Sequence, residues 1–427
     1  MNKLVIKNGR IVDPAGRLDR IGDIAIEDGL IREIADGIDA TGSEVFDASG
    51  LVVAPGFIDI HVHLREPGFE HAETIETGSR AAAAGGFTSI CCMPNTQPVN
   101  DNATVTSYIV DRARRFGAVN VYPIGAITRN SAGEELAAIA SMKQAGIVAI
   151  SDDGKPVMNA RLVRRAMEYA GALDLPLIEH CEDLHMSAGG DMHEGRESTR
   201  LGLRGIPRSS EDVMVARDLI LAELTDARYH VAHISSKHSV EMVAFAKQRG
   251  LRVTSEATPH HFALADADMH PYDSNYKMKP PLRERCDVEA VIQGLESGAI
   301  DAIATDHAPH PGAEKMQEFE RCPFGIIGLE TALGLALERL YHSGRFNLPR
   351  LVQLFTQNPA RILSLDRGTL RTSGAGDITI FGLDHNWTYD VNQSPSKSRN
   401  TPFNGHTFRG GPVATVVAGQ IVWRRDA

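Results

Sequence analysis

Gly56-Phe57-Ile58-Asp59-Ile60-His61-Val62-His63 is an apolar run that ends on two histidines. A short, nearly unbroken apolar run suits a strand buried on both faces. Side chains two apart in a strand point the same way, so His61 and His63 meet at one point in space. Asp59 shares that face one step deeper, where it is expected to orient an imidazole. The design recurs. FTSICCM (87–93), VNVYPIG (119–125), IVAIS (147–151), LPLIEH (175–180), RYHVAHI (228–234), LRVTSE (251–256) and AIDAIAT (299–305) are all short and apolar. Helix-like segments lie between most of them, such as residues 73–86, 160–173 and 239–250. Strands alternating with helices make parallel βα units. Eight of them over about 250 residues predict an α/β fold, a (β/α)8 TIM barrel, with a doubly wound open sheet as the alternative.

The two ends read differently. LVIKNGRIVD, DIAIEDGLIREIA and EVFDASGLVVAP near the start carry Asn-Gly, Asp-Gly and Ser-Gly hairpin signals. DITIFGLD and GPVATVVAGQIVW near the finish look alike. We expect residues 1–55 and 366–427 to build one small β-sandwich domain beside a catalytic barrel at 56–365.

The chain has 427 residues, 42% of them hydrophobic, enough for one large core. Its formal net charge is -11 and no Lys/Arg run interrupts it, which argues against nucleic acid or an anionic membrane as partner. The five cysteines form no C-x-x-C pair, and an odd count argues against a disulfide framework. The N-terminal residues lack a leader pattern, and no stretch approaches the ~18 apolar residues of a membrane span. A soluble, cytoplasmic protein is expected.

Chemistry gathers at the ends of the apolar runs. His180 ends LPLIEH, His233 closes YHVAH, and Asp306 follows AIDAIAT. In a TIM barrel these ends converge on one rim, where active sites lie. Histidine and carboxylate ligands suit zinc. Four histidines and an aspartate exceed the usual three-ligand catalytic site, which implies two ions and a bridge. Ser-Asp-Asp-Gly at 151–154 offers Asp152 and Asp153; on extended backbone they point apart, so one of them bridges. Cys181, beside His180, faces the other way and reads as a buried apolar residue, as do Cys91 and Cys92. His260 and His261 are candidates for supporting the ligands. Residues 309–325 read as a loop able to close over a substrate.

The strings DIHVHLREPG, GGFTSICCMPNT, SDDG, EHCED, MHEG, RGIP, AHIS, EATPHH, YKMKPPLR, ATDHAPH and PFGIIGLETA occur in this order. With them the chain resembles, essentially end to end, the class I dihydroorotases of the amidohydrolase superfamily. The resemblance implies reversible hydrolysis of L-dihydroorotate to N-carbamoyl-L-aspartate, a step of pyrimidine synthesis, with two zinc ions. It implies that His61, His63 and Asp306 hold one zinc, His180 and His233 the other, and Asp153 the bridge. Asp306 is the implied proton carrier. Arg65, Asn95 and His310, with His63, match positions around the substrate's carboxylate, and Phe324 and Gly325 match backbone contacts to its ring. Lys279 stands where the family has asparagine; it either replaces that polar contact or points away. A homodimer and association with aspartate transcarbamoylase are further implications. Allantoinases and hydantoinases are the nearest rivals, but hydantoinases usually carry a bridging lysine and allantoinases read Met-Pro-Leu-Asn where this chain has Met93-Pro94-Asn95-Thr96. A non-catalytic transcarbamoylase subunit of this type lacks the ligands found here.

Overall fold

The computed structural model describes residues 3–425, a mixed α/β architecture. Seven of the eight apolar runs form strands: Phe57–Val62, Phe87–Cys92, Asn120–Pro123, Leu177–Glu179, Tyr229–Val231, Val253–Ala257 and Ala302–Ile303. The remaining run, 147–151, is reduced to Ile150, which bridges Gly125 on one side and Leu177 on the other, both in parallel. Its ladder bonds survive, with Ser151 N donating to Gly125 O at 2.9 Å and Ile178 N to Ile150 O at 2.9 Å. Every pairing in this series is parallel. Just beyond the last strand, His307 pairs in parallel with Val62 on the first.

Three of the helices between these strands begin where a side chain satisfies their free amides. Thr74 accepts from Thr77 N before helix Ile75–Ala84, and Asn102 and Asn159 do the same for Ala103–Phe116 and Ala160–Ala172. Their apolar faces lie against the strands. One buried cluster takes Ile58, Cys91, Ile124, Ala149, Ile178, Ala232 and Ala302 from seven of the eight runs.

Both chain ends enter one eight-stranded sheet, ordered Gln420–Arg424, Thr407–Val417, Ile378–Thr388, Val52–Pro55, Lys3–Asp13, Leu18–Glu27, Leu30–Ala35, with Glu44–Asp47 against Lys3–Asp13. Ile6, Ile24, Val53, Ile380 and Val416 pack together in its own apolar cluster. Asp28-Gly29 makes the tight hairpin turn its sequence predicts, with φ of 51° and 79°. Asn8-Gly9 does not: it forms a bulge within one strand, where a Cβ on Gly9 would lie 2.4 Å from Val53 Cγ2. No helix among the described residues is long and apolar enough to cross a membrane.

Candidate metal centre

Five of the eight runs end by handing a polar side chain to one buried cluster. Asp153 sits at its centre. Its Oδ1 lies 3.4 Å from His61 Nε2, 3.6 Å from His180 Nδ1 and 3.5 Å from His233 Nε2, and its Oδ2 lies 3.4 Å from His63 Nε2. Asp306 Oδ1 lies 3.0 Å from His63 Nε2 and 3.5 Å from His61 Nε2. All six residues are buried. Arg65, His233 and Asp306 adopt φ of 61°, 30° and 48°, a region rarely used by non-glycine residues. Backbone held in this region tends to mark functional sites.

Asp152 points away from the cluster. Its Oδ1 accepts from Ile127 N at 2.8 Å and Thr128 N at 3.1 Å. The two adjacent aspartates are thus divided as opposed side chains, one to the cluster and one to the neighbouring backbone.

Three of the four imidazoles have a defined partner on the far nitrogen, while His233 Nδ1 is buried without one. Glu256 Oε1 meets His61 Nδ1 at 2.6 Å, Asn95 Oδ1 meets His63 Nδ1 at 2.9 Å, and Glu182 Oε2 meets His180 Nε2 at 3.0 Å. Such partners set the tautomer and leave the inward nitrogen free to ligate. Asp59, expected as that acceptor, serves otherwise. It takes His61 N at 3.0 Å, with Thr305 N at 3.2 Å and Thr305 Oγ1 at 2.6 Å, tying the first strand to the last.

Two inward atoms, His61 Nε2 and Asp153 Oδ1, are buried without a hydrogen-bond partner. Such atoms are costly unless something binds them. Burial lowers His61, but Asp153, Glu256 and Asp306 outweigh it and hold the imidazole well above its usual value. Burial raises Asp153, and His61, His180 and His233 overcome this to hold it well below the carboxylate range. A cation bound between them would meet the same negative charge, since metal binding displaces the imidazole proton. His61, His63 and Asp306 form one candidate ligand group, and His61, Asp153 and His233 another. A third, His193 with Glu284 and Asp287, fits a metal poorly, because Asp287 already binds Arg208 Nη1 at 2.7 and 2.9 Å.

The residues expected around a substrate lie beside the cluster. Arg65 is half-buried; its Nε donates to Pro309 O at 3.2 Å and its Nη2 to His310 Nε2 at 3.3 Å. Burial, with Arg65 and Lys315 nearby, lowers His310 to about 3, so the ring is neutral and its Nδ1 faces Glu314 Oε2 at 3.1 Å. The Phe324 ring lies beneath two ammonium groups, 4.5 Å from Lys277 Nζ and 4.9 Å from Lys279 Nζ. Gly325 needs to be glycine here: φ is 127° and a Cβ would fall 2.7 Å from Ala308 Cβ. Its own backbone is engaged, N–H to Lys277 O at 2.9 Å and carbonyl to Asn400 Nδ2 at 3.0 Å. The 309–325 segment is tied down by buried Lys315, whose Nζ donates to Pro323 O, Gly325 O and Lys277 O. His261 is fully partnered, by Thr258 Oγ1 at 2.7 Å and Pro280 O at 2.9 Å, whereas His260 Nε2 is buried and unpaired. Cys91, Cys92 and Cys181 are buried as expected.

Comparison with known proteins agrees with this picture. A family model described as Dihydro-orotase-like matches residues 50–239. A Solibacter usitatus protein named Dihydroorotase is 67% identical over 424 residues, 99% of each chain. A Pelotomaculum thermopropionicum protein of the same name is 54% identical over 98% of each. Among solved structures, the L-hydantoinase (dihydropyrimidinase) of Arthrobacter aurescens superposes with a TM-score of 0.90 at 26% identity, over 99% of this chain and 96% of that one.

Proposed function

This chain belongs to the dihydroorotase family, and from that premise we propose that its histidine–aspartate cluster binds two zinc ions and carries the reversible hydrolysis of L-dihydroorotate to N-carbamoyl-L-aspartate. The observation that carries the reading is Asp153, within 3.6 Å of four imidazole nitrogens, with its Oδ1 and His61 Nε2 unpartnered. His61, His63 and Asp306 would hold one ion, His180 and His233 the other, and Asp153 both. Zinc supplies Lewis acidity there and makes hydroxide available near neutral pH.

The protein's own groups do the rest. Arg65 suits a substrate carboxylate, since its guanidinium presents paired donors. Neutral His310 accepts from Arg65 and fixes its plane. Asn95 spends its oxygen on His63 and keeps its amide N–H groups for substrate. Lys279, Phe324 and Gly325 border the space for the ring. Asp306 takes the proton of the attacking water and delivers it to the ring nitrogen as the amide bond breaks. Ring closure runs the same steps backwards.

The parallel pairings that lead back to Val62 support a (β/α)8 barrel at 56–365, and the shared sheet with its own apolar cluster supports a sandwich-like domain from 1–55 and 366–427. Five free cysteines support a cytosolic setting. A homodimer and association with aspartate transcarbamoylase are carried from the resemblance. Exposed Val213, Ile220, Leu224 and Phe245, on neighbouring helices Ser209–Thr225 and Lys237–Gln248, offer an apolar surface for such contacts.

The test is an assay of purified protein on dihydroorotate, allantoin and hydantoin, with metal analysis of the same sample. Turnover of dihydroorotate with about two zinc ions per chain is expected. Closure consumes one proton, so its equilibrium should improve about tenfold per unit fall in pH. Turnover of allantoin or hydantoin with none of dihydroorotate would sink the assignment.

A further inference from the structure

Lys279 departs from the asparagine of the resembling family, and its surroundings show which groups the lysine meets. Its Nζ donates to Glu182 Oε1 at 2.7 Å. The other oxygen of the same carboxylate, Oε2, accepts from His180 Nε2 at 3.0 Å. His180 in turn presents Nδ1 toward Asp153 at 3.6 Å and His233 at 2.8 Å. The Lys279 ammonium also lies over the Phe324 ring. Glu182 is buried, with side-chain exposure of 7%, while Lys279 keeps 29%. The ammonium therefore stands at the rim and the carboxylate beneath it, against the imidazole.

We propose that Lys279 and Glu182 act as a positioning pair for His180: Glu182 holds the Nε2–H tautomer and ring plane that aim Nδ1 into the metal centre, and Lys279 holds Glu182. Three features carry this. A carboxylate with both oxygens engaged has one orientation, so the acceptor offered to His180 is fixed in place. An imidazole bonded through Nε2–H leaves only Nδ1 to ligate. An unpaired carboxylate at this depth would be costly, and Lys279 is the cation that compensates it. Asparagine has neither the charge nor the length for that role. The inference rests on the two-zinc reading above and assigns Lys279 to the support of the ligand His180 rather than to the substrate.

The test measures zinc binding directly, by titrating metal-free protein with zinc against a chromophoric chelator, and KM for both substrates alongside. Partners of this kind are typically worth about 10- to 100-fold in metal affinity. Glu182→Gln, which keeps the shape, should weaken the weaker zinc site by that factor. Lys279→Asn should weaken the same site several-fold, Lys279→Arg should restore most of it, and Lys279→Asn should add little once Glu182→Gln is present. Circular dichroism of each variant checks that it is folded. Wild-type zinc affinity in folded Glu182→Gln would overturn the proposal. So would Lys279→Asn with unchanged zinc affinity and a raised KM, which marks a direct substrate contact. Wild-type protein that binds no zinc would instead overturn the metal-centre reading on which both stand.

Discussion

Asp306→Asn should lose at least about a hundredfold in rate in both directions, the lower end of what a positioned acid–base group contributes. That factor corresponds to about 2.7 kcal/mol of barrier. Asparagine matches the aspartate in size and still offers an oxygen to His63 Nε2, now 3.0 Å from Asp306 Oδ1. What it cannot do is take a proton and return it. Both directions must suffer because the same group serves as base in hydrolysis and as acid to the leaving nitrogen. The structure gives a second reason to expect a large effect. Asp306 is buried, and its carboxyl is held well below its usual range: burial raises it, but His61, His63 and His233 prevail. Removing that charge strips the imidazoles of a counterion as well as the reaction of a shuttle. Steady-state rates on dihydroorotate and on carbamoyl-aspartate, with zinc content measured in parallel, check the prediction. Near-normal rates in either direction would remove Asp306 from the proton path.

The members of the buried histidine–aspartate cluster were legible in the sequence because each announces itself locally. His61 and His63 share a strand face, and His180, His233 and Asp306 each stand at or just past the end of an apolar run. The opposed directions of Asp152 and Asp153 agree with the alternation expected of extended backbone, although the chain is already turning there. What stayed hidden was the set of partners that orient these side chains. Glu256 meets His61 across 195 residues of chain, and Lys279 meets Glu182 across 97. No spacing rule reaches so far. Asp59 looked like the acceptor because it shares a face with His61, but Thr305 and the His61 amide lie closer to its oxygens and claim them. Glu182 stood in view two residues after His180, in the same string, and only the approach of Lys279 gives it a direction. The same limit applies to the strands. Run 147–151 has the composition of its neighbours, yet only Ile150 pairs regularly, because the Asp152-Asp153 turn follows at once. Asn8-Gly9 carries a hairpin signature, but Val53 packs against Gly9 and the strand continues through a bulge.

Asp153→Ala and Asp152→Ala should part completely, although the two residues are adjacent. Asp153→Ala removes the one carboxylate that faces all four histidines, at 3.4 to 3.6 Å. Without it the imidazoles face one another with no negative charge between them except Asp306. Two cations held close together need that charge still more. Zinc content should fall from about two per chain toward zero, and activity with it. Asp152→Ala should keep its zinc and lose stability instead. It leaves Ile127 N and Thr128 N, now 2.8 and 3.1 Å from Asp152 Oδ1, buried without their acceptor. Each such loss costs about 1–3 kcal/mol, so the melting temperature should drop by several degrees while the surviving folded protein turns over substrate. Mass spectrometry of the wild-type chain completes the comparison. Asp153 as the bridge requires every lysine unmodified, whereas a carboxylated lysine, together with an active and zinc-loaded Asp153→Ala, would transfer the bridge to another residue.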